Sequence, residues 1–227
     1  MNGILSSMSS LFPVFFKRRS CLVPTWRGWF LVGLILIMLI GLLMRNIPLF
    51  LAVTDPIKAD VLVIEGWAPD YAFEAAITEF RRHPYDKLYV TGGPMERGAF
   101  LSEYRTYAGL GEAILRRMGE SSVEAVPSLK TRKDRTYSSA MALRDRFQSE
   151  SKPVKSINLL SLGAHARRSK LLFEKALGPE IKVGVIAVND QDYDSARWWK
   201  SSQGFRVVVD EWIAYVYARF FFSPIQG

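Results

Sequence analysis

One apolar run limits what this chain can fold into more than any other feature. It extends from Gly28 to Met44 and contains 17 residues without a charge. As a helix rising about 1.5 Å per residue it would be roughly 26 Å long, close to the ~30 Å hydrocarbon core of a bilayer. Arg27 and Arg45 bracket the run, and such side chains can extend their charges to the membrane interface. We therefore predict a transmembrane helix over residues 28–45.

A cleaved signal peptide is the alternative reading of this run. The apolar part of a signal peptide spans about 7–15 residues and ends at a cleavage site with small residues. The run in this chain is longer, and the sequence LMRNIPLFLAV that closes it has no such site. A helix buried in a soluble core would show a polar face, which this run lacks. We therefore expect an uncleaved anchor.

The basic residues near the run predict its orientation. Four of them precede it, namely Lys17, Arg18, Arg19 and Arg27, whereas only Arg45 follows closely. Basic residues concentrate on the cytoplasmic side of a membrane helix. Residues 1–27 are therefore predicted to be cytoplasmic. The C-terminal domain is predicted to lie outside the inner (plasma) membrane, in the periplasm or its equivalent.

The net charge of +8 does not indicate nucleic-acid binding. Residues 1–53 hold 5 of the 30 basic residues and none of the 22 acidic ones, which leaves 25 − 22 = +3 for the rest. Most of the excess therefore flanks the apolar run, where membrane topology explains it. The one cysteine, Cys21, cannot form a disulfide within the chain, and no Cys/His metal spacing is present.

After a predicted linker over residues 46–59, residues 60–227 have the pattern of an α/β domain. Short β-branched runs predict strands over Asp60–Ile64, Lys87–Thr91, Val123–Val126, Ser156–Leu162 and Lys182–Val188. Amphipathic stretches predict helices over Asp70–Arg82, Phe100–Met118, Asp134–Gln148, His165–Leu177 and Val207–Phe222. The alternation predicts a three-layer, Rossmann-like parallel sheet with helices on both faces. Ligands of such folds bind beyond the carboxyl ends of the strands, so we look for chemistry at the strand-to-helix corners.

Two corners suit an anion, although each has a structural explanation as well. The sequence Thr91-Gly92-Gly93 follows a strand, and glycines let backbone amides approach a phosphate; a tight turn explains them equally well. The loop from Lys130 to Thr136 places Arg132 and Arg135 just before a helix, where guanidinium groups and the helix N-terminus could hold a phosphate. A solvated loop with a helix cap is the alternative.

Two further corners carry titratable groups. His165 opens a helix after a strand and could act as an acid or a base, or serve as a structural cap. Asp190, Asp192 and Asp194 could bind a divalent cation, but a polar loop fits them better and we predict no metal site. No G-x-S-x-G or G-x-G-x-x-G sequence is present, which argues against a serine hydrolase and a standard dinucleotide site. We expect no cofactor.

The order of these corners resembles a known family. Thr91-Gly92-Gly93, then Ser102-Glu103, Thr136 and His165-x-x-Arg168 resemble the family of bacterial envelope proteins, a domain of unknown function, that includes SanA, YdcF and ElyC. The resemblance covers roughly Ala59 to Val188. It implies a Rossmann-like domain and a link to envelope integrity, peptidoglycan assembly and polyprenyl lipid-carrier metabolism. It does not imply a particular reaction.

Two hypotheses follow, and whether the chain is an enzyme stays open. In the first, the domain acts on or binds a phosphorylated envelope precursor. Glu65, Glu103 or His165 would transfer protons. The ligand would be held by Thr91, Gly92, Gly93, Arg132, Arg135, Thr136 and Arg168. In the second, the domain is a non-catalytic scaffold for an envelope-assembly protein. The first predicts that these side chains meet in one cleft, with Glu65 and Glu103 compensating part of the arginine charge.

Overall fold

The computed structural model of the chain describes residues 24–96, 98, 101–131 and 134–223. It divides into two compact units between Leu42 and Leu43. From Trp26 onward, the described residues of the first unit belong to α1 (Trp26–Leu51). The most apolar window of α1 has a mean hydropathy of 2.4, and none of it is buried. This N-terminal helix is long and apolar enough to span a membrane.

Residues 46–51, the first part of the predicted linker, are helical and belong to α1. Proline has no amide hydrogen, so Pro48 cannot donate to the carbonyl of Met44 four residues earlier. The indole Nε1 of Trp198 donates to that carbonyl instead, at 2.8 Å. Leu51 is fully buried among residues of the second unit. Side-chain burial and the replacement hydrogen bond therefore keep this segment helical, and the connection to the sheet starts only after Leu51.

In the described part of the second unit, five parallel strands form one sheet in the order β3-β2-β1-β4-β5. The strands are β1 (Val61–Glu65), β2 (Lys87–Gly92), β3 (Val123–Pro127), β4 (Ser156–Leu162) and β5 (Lys182–Val188). They alternate with α2 (Asp70–Arg82), α3 (Tyr107–Arg117), α4 (Arg135–Gln148), α5 (Ala166–Leu177) and α6 (Ser202–Phe220). Two 3₁₀ turns, Gly163–His165 and Ser195–Lys200, precede α5 and α6. The predicted fold class is confirmed.

Each face of the sheet has its own apolar core, which makes three layers. On one face, Leu62, Ile64 and Val90 pack with Phe73 of α2 and Leu115 of α3. The opposite core consists of alternate strand residues and residues of α4 and α5, namely Val61, Val63, Tyr89, Ile157, Leu159, Leu143, Phe147 and Phe173. Because neighbouring side chains of a strand point to opposite faces, strands buried on both faces are apolar throughout.

Four helices differ from their predicted bounds. α3 begins at Tyr107 instead of Phe100, because Thr106 caps it by accepting a hydrogen bond from the amide of Gly109 at 3.1 Å. Phe100 itself lies outside the described residues. α6 begins at Ser202, five residues earlier than predicted, and Ser201 caps it. α6 packs mainly on α5 and the two 3₁₀ turns instead of the sheet. α4 and α5 each begin one residue later than predicted.

The segment between α1 and β1 runs along β5 from its carboxyl half toward its amino end. The amide of Ala187 donates to Thr54 Oγ1 at 3.1 Å, and Asp55 pairs with Val185 in an antiparallel bridge. Ile57 exchanges two hydrogen bonds with the side chain of Asn158. The chain therefore leaves α1 beside the carboxyl edge of the sheet and crosses to the amino edge before it enters β1.

Candidate functional site

Polar side chains replace apolar ones in one row at the carboxyl end of the α4/α5 face. Val61 and Val63 of β1 are followed on this face by Glu65, and Ile157 and Leu159 of β4 by Ser161. Glu65 pairs in register with Thr91 of β2. We call Glu65, Thr91 and Ser161 the polar row. It spans the carboxyl ends of β1 and β4, the topological switch point where ligands of doubly wound sheets bind.

The carboxylate of Glu65 is the centre of the row and is only 3% exposed. Its Oε2 accepts hydrogen bonds from the hydroxyls of Ser161 at 2.6 Å and Ser169 at 3.1 Å. Its Oε1 lies 3.3 Å from Nε2 of His165. Burial alone would raise the pKa of Glu65, but His165, Ser161 and Arg168 together hold that pKa below its ordinary value. Glu65 is therefore a buried carboxylate that remains ionised.

A second carboxylate holds the other side of the imidazole. Nδ1 of His165 lies 2.8 Å from Oε1 of Glu211 on α6. Burial opposes protonation of His165, but the two flanking carboxylates outweigh it and raise the pKa of His165 to about 9. Burial would likewise raise the pKa of Glu211, and His165 with Arg168 lowers it to about 2. At neutral pH the ring is thus an imidazolium between two carboxylates.

Arg168 completes what we call the charged cluster: Glu65, His165, Glu211, Arg168 and Asp134. Its Nε and Nη2 donate to the two oxygens of Glu211 at 2.8 and 3.1 Å, and its Nη1 lies 3.5 Å from Asp134 Oδ2. Burial would lower the pKa of Arg168, but these carboxylates raise it. Three carboxylates face two cations, so the cluster has a net charge of −1 with His165 protonated. The charge of Arg168 is therefore compensated inside the domain.

Trp67 covers the cluster on the solvent side. Its indole meets the ring of His165 edge to face, with centroids 5.0 Å apart, and is 40% exposed. Trp67 belongs to the turn after β1, which begins at Gly66. An added Cβ on Gly66 would collide with the backbone of Tyr107, and one on Gly92 would come within 2.8 Å of the amide of Ala108. The close approach of α3 therefore accounts for both glycines without a ligand.

The structure brings some of the predicted site residues together and leaves others apart. Glu65, His165 and Arg168 join through direct contacts. Four other predicted residues adjoin them: Thr91, Gly92 and Gly93 at the end of β2, and Thr136, which is buried in the first turn of α4. The buried Oγ1 of Thr91 has no partner among the described residues. A ligand-binding role for these residues stays a prediction.

The other predicted residues lie at the surface or outside the described chain. Arg135 is mostly exposed and pairs with the equally exposed Glu96 at 2.9 Å. Glu103 is exposed in the loop before α3, and no described hydrogen bond or ion pair joins it to the charged cluster. Arg132 lies outside the described residues. Three arginines were expected in one cleft. Of the two that the structure describes, Arg168 belongs to the charged cluster and Arg135 lies at the surface.

The aspartate loop after β5 has structural contacts. Asp190 Oδ1 accepts a hydrogen bond from the amide of Asp192 at 3.0 Å and lies 3.4 Å from the hydroxyl of Tyr71. Asp194 caps the following 3₁₀ turn and pairs with Arg197 at 2.7 Å. Among the described residues, no three metal-ligating side chains come together.

A cavity of about 640 Å³ lies at the amino edge of the sheet, away from the charged cluster. Its lining includes Lys58, Asp60, Tyr85 and Asn158. The buried polar atoms of Asn158 are already bonded to Ile57 and Tyr85. We therefore favour the charged cluster as the functional site, because it combines perturbed pKa values with the switch point of the sheet.

Sequence analysis missed Glu211 and the two serines that bind Glu65. Glu211 lies 46 residues from His165, on the C-terminal helix, whose sequence is mostly apolar. An acidic pair, Asp210-Glu211, within that apolar helix was the available signal. The sequence signal for Ser161 was clearer. This serine follows Ile157 and Leu159 on the same face of β4, one residue beyond the pair of Ile64 and Leu160.

No protein-family model matches this chain, and no curated protein sequence is significantly similar to it. The resemblance to the SanA, YdcF and ElyC family therefore rests on the ordered residues alone.

Proposed function

We propose that this chain is a bacterial inner-membrane protein whose α/β domain, outside the cytoplasm, acts on or binds a phosphorylated precursor of the cell envelope. α1 supplies the anchor, and the basic residues before it support the orientation. The resemblance to the family of SanA, YdcF and ElyC supports the substrate class. The observation that carries the proposal is the buried Glu65–His165 pair at the switch point of the sheet.

Replacement of a buried charge network by apolar residues of similar volume is often neutral or stabilising, so stability alone does not explain why such a network is present. Ionisable groups with strongly shifted pKa values concentrate at functional sites. His165 has a raised pKa, Glu65 and Glu211 have lowered ones, and all three lie where ligands of this fold class bind. The cluster therefore fits a reacting or recognition site better than a purely structural one.

The geometry suits proton donation by His165. The imidazolium carries protons on both nitrogens, and Glu65 and Glu211 hold its orientation. Nη2 of Arg168 lies 2.9 Å from Nδ1 of His165. After the ring gives its proton to a ligand, Nδ1 can accept a hydrogen bond from Arg168, so the neutral ring is also satisfied. A phosphate oxygen of the bound ligand would accept that proton.

Arg135 is the best described candidate for holding the phosphate itself. Its pair with Glu96 is exposed, and such pairs contribute little stability. An anion can therefore replace Glu96 at little cost. The N-terminus of α4 lies next to Arg135 and adds the positive end of the helix dipole.

A non-catalytic scaffold is the second candidate, and one surface favours it. Phe205, Val209, Trp212, Ile213, Val216 and Phe220 recur on one side of α6. Ile213 and Phe220 are 61% and 73% exposed. An exposed apolar row of this kind is typical of a surface that contacts a partner.

Binding of a short-chain polyprenyl phosphate, compared with the matching polyprenol, tests the proposal. Calorimetry on the full chain in detergent should give binding of the phosphate only. Arg135→Ala should weaken it at least about tenfold, the loss of one charge-assisted contact of roughly 1.5–3 kcal/mol. Arg117→Ala, an exposed arginine near the end of α3, is the matched control. Equal affinities for both lipids, or no binding, would favour the scaffold.

The orientation has a separate test. Alkaline phosphatase fused after Gly227 should be active, because that enzyme folds only outside the cytoplasm. A fluorescent protein that needs the cytoplasm should stay dark at the same position. The reverse pattern would place the domain on the other side.

A further inference from the structure

We propose that the segment Ser195–Arg206 lies in the headgroup layer of an anionic bilayer, with Arg197, Trp199, Lys200, Phe205 and Arg206 as its contacts. We call this segment the basic-aromatic corner. The inference rests on the proposed membrane anchoring by α1. It deepens the proposed function, because it turns the edge of the sheet that carries the charged cluster toward the lipid.

The corner is attached to the residue at which α1 leaves its uncharged run. Trp198 is 1% exposed, and its indole donates to the carbonyl of Met44 at 2.8 Å. The next residue, Arg45, is the first charge after the run. Ile47 and Leu51 pack in the same apolar cluster as Trp198. The corner therefore sits beside Arg45, at the level where a membrane helix meets the headgroups.

The side chains around Trp198 have the composition of a membrane interface. Trp199 is 43% and Phe205 48% exposed, and indole rings favour the headgroup level. Arg197, Lys200 and Arg206 are exposed, while Asp194 offsets one of the three charges by its pair with Arg197. The corner keeps a net charge of +2 from Asp194 to Arg206. That sign attracts the anionic lipids of a membrane surface.

The end of α1 lies at the same edge of the sheet as the charged cluster. Thr54 and Asp55 run along the carboxyl half of β5, so α1 ends beside the carboxyl edge of the sheet. Arg167 donates to the carbonyl of Phe50, and its guanidinium lies 3.9 Å from the centroid of the Phe50 ring. His165 is two residues away. The end of α1 and the charged cluster are therefore at the same edge of the sheet, which the proposed placement brings to the bilayer surface.

Depth measurements on the full chain test this placement. Cys21 is the one cysteine, so a Cys21→Ser background accepts single labels. Spin labels at Trp199→Cys and Phe205→Cys, in nanodiscs containing phosphatidylglycerol, should be several-fold more accessible to oxygen than to a water-soluble nickel chelate. Glu180→Cys, exposed at the amino edge before β5, is the matched control and should show the opposite preference.

A label at Leu36→Cys separates failure of the corner from failure of the anchor. If Leu36→Cys is embedded in lipid but the two corner labels behave like Glu180→Cys, the corner proposal is overturned and the anchoring stands. If Leu36→Cys is in water, the anchoring itself fails. Corner labels protected from both reagents would mean that a protein covers the corner, which also overturns the proposal.

Charge reversal tests the anionic lipid. Lys200→Glu with Arg206→Glu should lower the oxygen preference of the Trp199→Cys label to the value found in phosphatidylcholine alone. Lys200→Arg should keep it. Lys182→Glu, at the amino edge, is the matched control and should change nothing. A preference that does not depend on phosphatidylglycerol or on these charges would overturn the electrostatic part of the proposal.

Discussion

The imidazole of His165 should titrate far above its ordinary range, and the stability of the domain should follow it. The pKa of His165 is about 9 in the folded chain and about 6.5 in an unfolded one. At about 1.4 kcal/mol per unit, the protonated ring contributes about 3 kcal/mol to folding. Because the folded pKa is the higher one, this contribution is fully present below pH 6.5. It is lost as the pH rises through 9.

The contribution of the carboxylates to stability depends on pH in the opposite direction. The pKa of Glu65 and that of Glu211 are lowered, so their contribution is present above the ordinary carboxylate range. It falls away as the pH drops, for Glu211 through about 2. The charged cluster therefore stabilises the fold most between the carboxylate range and pH 6.5. The loss of stability at alkaline pH therefore reports on His165.

Two measurements on the full chain in mild detergent check this reasoning. The chain has two histidines, so ¹³C-histidine NMR gives two titrations, and His83→Gln assigns them. His165 should titrate near pH 9, while the free energy of unfolding in urea falls by about 3 kcal/mol between pH 6.5 and 9. Glu211→Gln should lower that midpoint and cost about 3–5 kcal/mol, because Arg168 loses its main partner.

Glu112→Gln is the matched control for this experiment. Glu112 pairs with Arg116 on the surface of α3, outside the cluster. Its replacement should leave the His165 midpoint unchanged and cost at most about 1 kcal/mol. A wild-type midpoint near pH 6.5 would refute the imidazolium assignment. A midpoint that is the same in Glu211→Gln as in the wild type would refute it as well.

Three smaller predictions concern packing and capping, each measured as the free energy of unfolding in urea. Gly92→Ala places a Cβ 2.8 Å from the amide of Ala108 and should cost about 1–3 kcal/mol; unchanged stability would show that α3 can move away. Asp134→Ala removes the cap of α4 and also the carboxylate beside Arg168, so it should cost at least about 1–2 kcal/mol; unchanged stability would show that water replaces both contacts. Trp198→Phe keeps the ring but loses the bond to Met44 and should cost about 1 kcal/mol, whereas a loss below 0.3 would mean that water takes its place.

The sheet was predictable because its signal is local. The bounds of β4 and β5 agree with the sequence prediction, β2 and β3 end one residue later than predicted, and β1 begins and ends one residue later. Strands buried on both faces are apolar throughout, and that composition is visible in the sequence. The start of α3 was not predictable in this way. Its apolar pattern extends back to Phe100, but the cap at Thr106 decides where the helix begins.

The charged cluster was only half predictable, because its partners come from distant segments. Strand order brings Glu65 and His165 to one edge, and the sequence indicates that edge. Glu211 reaches His165 through the docking of α6 on α5, which depends on tertiary packing rather than on a local pattern. For the same reason the sequence predicted Glu65 and Glu103 as partial compensation for the arginine charge, whereas Arg168 pairs with Glu211 and Asp134.

The end of α1 has a consequence for how the two parts of this protein can be exchanged. Leu51 is fully buried in the second unit, and Met44 accepts a hydrogen bond from Trp198 there. One side of the last two turns of α1, with Pro48 and Leu51, is thus packed into the domain. A foreign membrane helix joined at Thr54 would remove Met44 and Leu51. Trp198 would lose its hydrogen bond and packing partner, and an apolar cavity would remain beside it. An interchange that preserves the fold has to be joined upstream, at Leu42–Leu43, where the two compact units meet.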